Sequence, residues 1–102
     1  MAKIKKKRIR WQPSASIDVT GYRFYWSNQG EVDYNSNFAE LGNISEIILP
    51  DDVSSFPLET GNIELGLSAI NQAGNESDIT KLSVYFNFTV PDAPSGVEVE
   101  DV

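Results

Sequence analysis

The sequence predicts an all-β fold, a two-sheet antiparallel sandwich. Apolar and polar side chains alternate at period two in several separate stretches, and no stretch sustains the i, i+3, i+4, i+7 spacing of an amphipathic helix. Clusters of Gly, Asn, Pro and Asp punctuate these stretches, as short strands joined by tight connections require.

The elements follow in order. Ile9 and Trp11 share one face of a first strand, and Pro13 to Asp18 is a turn region. The second strand opens at Val19 or Thr20 and runs through GYRFYW. It sets Tyr22, Phe24 and Trp26 on one side and Arg23, Tyr25 and Ser27 on the other. Ser27 to Gly30 ends it. Shorter strands are expected over Asn37 to Leu41 and Ser45 to Leu49, the latter stopped by Pro50, Asp51 and Asp52. Ile63, Leu65, Leu67 and Ala69 alternate through the next strand, which closes at Asn71 to Gly74. Lys81 to Val90 reads as the last, with Leu82, Val84, Phe86 and Phe88 on one face and Ser83, Tyr85, Asn87 and Thr89 on the other. VPDAPSG, from Val90, breaks the pattern.

The expected core is Ile9, Trp11, Tyr22, Phe24, Ile63, Leu65, Leu67 and Ala69. Each buried aromatic removes about 150–250 Å² from water, so the rings carry much of a small core. Trp26 lies at its strand's end, where the indole reaches either the core or a rim.

Composition bounds the chemistry. The 102 residues suit one domain that buries roughly 65% of its unfolded surface. The sequence holds no cysteine and no histidine, which removes disulfides, thiolate metal sites and the usual general base, zinc ligand and pH switch. No apolar run reaches the roughly 18 residues of a membrane span, and the start MAKIKKKRIRW has no apolar signal-peptide region.

Charge is divided along the chain. Lys3, Lys5, Lys6, Lys7, Arg8 and Arg10 hold six of the eight basic side chains, whereas all fifteen acids follow Trp11. Such a run suits nucleic acid or an anionic membrane, or it is a strand whose lysines discourage edge pairing. The second reading is favoured because Ile9 and Trp11 continue the run at strand spacing. The acidic body also repels phosphate.

Three segments carry a family resemblance. IRW at Ile9 to Trp11, GYRFYW, and SAINQAGNES at Ser68 to Ser77 together resemble a fibronectin type III module, an immunoglobulin-like sandwich. In that family a strand B tryptophan packs on a strand C tyrosine, and strand F ends in an Ala-x-Asn-x-x-Gly turn. Trp11, Tyr22, Ala69, Asn71 and Gly74 match those positions. Leu58 and Gly61 resemble the corner before strand F, but Ile63 stands where the family has a tyrosine that bonds back to that corner. Ile63 offers no donor, so the bond is missing or replaced.

No segment before strand B reads as strand A. Residues 1–90 are therefore expected to form the sandwich, strands B to G. Residues 91–102, PDAPSGVEVEDV, resemble the linker or opening strand of a following module. Turned back in family topology, Val97 and Val99 would lie parallel to strand B. The tail is thus expected to lead into a further module, stay loose or pair with another molecule. An open strand B edge invites weak self-association, which a Lys3, Lys5 and Lys7 row blunts by repulsion.

Tyr25 and Tyr85, with Arg23, fall on the outward face of strands that resemble C and G. These residue types anchor protein interfaces and stack on sugars, and they also pack across strands of a solvated sheet. No nucleophile elbow, glycine-rich phosphate loop or metal-ligand spacing occurs, and no cofactor is expected. Asp51 and Asp52 sit in a turn, where capping accounts for them. Glu31, Asp33 and Asn35 alternate like calcium ligands without the rest of a calcium loop. Sequons at Asn43, Asn75 and Asn87 matter only in a secreted eukaryotic chain, and no Arg-Gly-Asp triplet is present.

The expected function is a non-catalytic protein-interaction or spacer module. The resemblance implies a larger protein and an extracellular or cell-surface setting, whereas the residues themselves leave the compartment open. One alternative is a small carbohydrate-binding domain using Tyr25, Tyr85 and Trp26 or Tyr34. Another is electrostatic attachment to nucleic acid or anionic membrane through the N-terminal lysines.

Overall fold

The structure, a computed structural model, describes residues 2–102; Met1, the first residue of the expected sandwich, lies outside the described residues. Six strands form, β1 (Lys7–Arg10), β2 (Val19–Ser27), β3 (Asn37–Leu41), β4 (Glu46–Leu49), β5 (Gly61–Asn71) and β6 (Thr80–Phe86), with no helix among the described residues. They make two antiparallel sheets: β1 pairs with β4, and the larger sheet runs β3-β2-β5-β6.

Local chemistry explains the borders. β2 is rich in aromatic residues and pairs on both sides, Tyr22 facing Leu41 on β3 and Ala69 on β5. The β2–β5 register shifts between Val19 and Gly21, and a Cβ at Gly21 would lie 2.7 Å from the Leu41 carbonyl oxygen. Glycine alone permits that approach. β6 ends at Phe86 rather than running to Val90. Beyond it, Thr60 Oγ1 accepts from Phe88 N at 3.0 Å and lies 3.0 Å from Thr89 Oγ1, so a hydroxyl takes over from the ladder. Thr60 precedes β5, so these bonds tie the corner before β5 to the segment after β6; Ile63 itself points into the core, 1% exposed.

The rings of Phe24, Trp26, Phe56 and Phe86 occupy the space between the sheets, with Ile47, Leu49, Val53, Ile63 and Leu65 around them. Phe56 meets Trp26 and Phe86 edge-on, at centroid distances of 5.9 and 5.2 Å. Burying each such side chain stabilises the fold by about 1.5–3 kcal/mol. Trp26 is thus core, not rim. Trp11 packs edge-on against Tyr22 at 5.6 Å, the contact that the resemblance implies.

Four expected core residues are only half buried: Ile9, Trp11, Leu67 and Ala69. Leu82, on the inward face of β6, is 57% exposed. All five lie at the side where β1 and β6 are sheet edges, and no strand among the described residues pairs with the outer edge of β1. The smaller layer stops before it covers the larger one.

Residues 89–102 are exposed throughout, and residues 87–102 belong to no strand. The molecule measures 71 × 26 × 19 Å. An extended segment of twelve residues spans about 40 Å, so an exposed tail of this length is long enough to lengthen the molecule.

Candidate functional site

The outward face of the larger sheet differs from expectation at its centre. Tyr25 has no exposed surface, and neighbouring Val32 is 1% exposed. The connection between β2 and β3 folds back over this face. Tyr34 meets the Tyr25 ring edge-on at 6.3 Å, Phe38 lies beside it at 5.7 Å, and the segment before β6 brings Glu76 and Ile79 against it. Tyr25 is therefore the middle of a second small core. Period two told which side it points to but not that a loop covers that side.

Polar groups in this second core pair with one another, except that Arg23 Nε is buried without an acceptor among the described residues. The Tyr25 hydroxyl donates to Glu76 Oε2, Ser68 Oγ donates to the same oxygen at 2.5 Å, and Arg23 Nη1 donates to Glu76 Oε1 at 3.2 Å. Arg23 Nη2 reaches Glu40 Oε1 at 2.5 Å, and its guanidinium stands 4.5 Å from the Phe38 ring centre. Burial, then the bond to Glu76, pushes the Tyr25 phenol above the usual tyrosine range. The hydrogen bond to Glu40, then that to Tyr25, raises Arg23. Arg23 and Tyr25 thus tie β2 to β3 and to the turn after β5. Tyr85 shares their face but opposes Asn62, four residues along β5 from Gly66, the partner of Tyr25, and is 55% exposed. The three residues form no common surface.

Acidic and turn residues are engaged locally. Asp52 Oδ2 accepts from Ile48 N at 2.6 Å, Asp51 pairs with Lys6 at 2.7 Å, and Asp33 Oδ1 accepts from Asn35 N at 2.8 Å. Glu31 lies 3.8 Å from Lys81. Asn71 Oδ1 accepts from Ala73 N and Asn75 N, at 3.1 and 2.9 Å, and so shapes the turn that carries Asn75. Asn43, Asn75 and Asn87 are exposed.

The basic run is not a uniform row. Lys3 and Lys5 precede β1 and are exposed, whereas Lys7 lies within β1 and is half buried on the face of Ile9 and Trp11. The exposed basic face of β1 is Arg8 and Arg10. Strand alternation, with Ile9 inward, decides this. Arg8 lies 3.4 Å from Glu46, and Arg10 has no ion-pair partner among the described residues.

Beside β1 the open side of the sandwich forms an apolar trench. Its cavity volume is about 520 Å³, and Ile9, Trp11, Tyr22, Leu65, Leu67 and Leu82 line it, with Arg10 and Lys81 at the rim. Ser14 N donates to the Tyr22 hydroxyl at 2.9 Å and ties down the segment that follows β1. Trp11 Nε1 is buried without an acceptor among the described residues. Trp11 N donates to Ser45 O at 3.1 Å, so in the β1–β4 register the backbone groups of Ile9 and Trp11 face β4 while those of Arg8 and Arg10 face outward. An unpaired strand edge thus borders an uncovered apolar floor. Sequence reasoning met the edge but not Leu82, which reads as core until nothing lies over it.

Compared with known proteins, the chain matches no family model, no curated protein and no solved structure. Among the described residues no helix is long and apolar enough to cross a membrane.

Proposed function

We propose that the chain is a non-catalytic protein-interaction module of the fibronectin type III type, and that it docks an extended segment of another protein along β1. One observation carries the reading: the outward backbone groups of Arg8 and Arg10 run beside the apolar trench floored by Leu65, Leu67 and Leu82. An added strand gains ladder hydrogen bonds from the edge, while its alternate side chains fill the trench. Exposed apolar surface bounded by charge is what such docking uses. The strand order β3-β2-β5-β6 opposite β1-β4 and the Trp11–Tyr22 contact support the family assignment. The sugar-stacking alternative loses Tyr25 and Trp26 as platforms, because both rings are buried.

The reading is tested by selecting binders to the immobilised full chain from a library of displayed random peptides. Binders with alternating apolar residues are expected, and Leu82→Arg weakens them about tenfold or more while Tyr85→Ala leaves them unchanged. An empty selection, or binders indifferent to Leu82→Arg, overturns it.

A further inference from the structure

The tail carries chemistry that mirrors the trench. Val97 and Val99 alternate with Glu98 and Glu100, and the two valines are 88% and 94% exposed. In extended conformation the valines share one face and the glutamates the other. We infer that the trench binds residues 96–102 of a second copy of this chain, an inference that rests on the interaction reading and names its partner.

Three relationships converge on this occupant. First, an added strand that turns Val97 and Val99 inward beside Ile9 and Trp11 must turn Glu98 and Glu100 outward beside Arg8 and Arg10, because cross-strand neighbours share a face. Acidic and basic residues then meet without any change of register. Residues 91–102 carry Asp92, Glu98, Glu100 and Asp101 and no base, whereas residues 3–10 carry six bases and no acid.

Second, the lengths agree. β1 has four residues, about 13 Å of strand, which Val97 to Glu100 covers. Pro91 and Pro94 lack the amide that a ladder needs, so pairing begins after Gly96, whose φ of +64° sets off the final stretch.

Third, the tail follows the Phe86 end of β6, which pairs with Gly61, whereas the trench is lined by Thr80, Lys81 and Leu82 at the other end of that strand. Residues 89–102 are exposed throughout, so the tail does not fill its own trench. The trench and the tail are separate surfaces on each molecule, so the contact is head-to-tail, and each copy offers one donor and one acceptor.

Sedimentation equilibrium across rising concentration tests this. The full chain is expected to gain weight-average mass with concentration, and added salt is expected to reduce the gain. Val97→Lys/Val99→Lys, at exposed positions that leave the core intact, removes association, and so does Leu82→Arg. Mixing these two variants restores a single 1:1 complex of an intact trench and an intact tail, with no larger species. A full chain that stays monomeric up to millimolar concentration overturns the inference, as does undiminished association of the valine variant or a mixture that does not pair. The interaction reading is judged separately, by running the peptide selection on the Val97→Lys/Val99→Lys chain: binders there, together with an unsubstituted chain that stays monomeric, leave the docking site standing and remove only the second copy as its occupant.

Discussion

Tyr25 stands directly across the β2–β5 ladder from Gly66, and the missing side chain at Gly66 makes room for what covers the tyrosine. A Cβ there would lie 2.5 Å from Ile79 Cγ2 and 2.9 Å from Val32 Cγ2. Both are methyls on branched carbons that cannot swing clear, and Val32 is buried. Gly66→Ala should therefore cost about 1–3 kcal/mol by overpacking, read from urea unfolding. A neutral or stabilising result would show that the covering loop yields.

Glu76 gathers the Tyr25 hydroxyl, Ser68 Oγ and Arg23 onto one carboxylate. Glu76→Ala leaves three donors without their acceptor and should cost about 1–3 kcal/mol, with Glu76→Gln costing less. Unchanged denaturation midpoints in the alanine variant would mean that water replaces the carboxylate at no loss.

The two tyrosines on the outward face of the larger sheet should separate in their effects. Tyr25→Ala empties a buried site and should cost about 3–5 kcal/mol, whereas Tyr85→Ala, at a half-exposed ring, should stay within about 0.5 kcal/mol. Thermal and urea unfolding of both variants checks this. Equal losses would contradict the burial of Tyr25.

Alkaline stability should report the buried phenol. The Tyr25 pKa is raised in the folded chain, against an ordinary value of about 10 when unfolded. Between the two values the unfolded chain has lost a proton that the folded chain keeps, so stability falls as pH rises. The contribution is whole below about pH 10 and fades through the raised folded value. Urea unfolding from pH 8 upward should show this slope in the parent chain and a shallower one in Tyr25→Phe. Parallel curves would place the alkaline loss elsewhere.

The β layout was legible because alternation is a local property. It marked β2 and β3 correctly, found Phe24, Ile63 and Leu65 as core, and paired Trp11 with Tyr22 through the resemblance. It overran β6, because Phe88 continues the period although Thr60 takes over from the ladder after Phe86. Grouping Lys7 with Lys3 and Lys5 as a repelling edge row set the same alternation aside, since Lys7 shares the face of Ile9.

By itself, then, the sequence determined the strands and the side of its sheet on which each residue falls, since these follow from a spacing of two residues. Tertiary structure alone decided what lies over each side: a loop bearing Val32 and Tyr34 over Tyr25, and nothing over Leu82. Coverage depends on where segments distant in the chain come to rest, and no local period encodes that path. The uncovered floor beside β1 is visible only once both sheets are assembled.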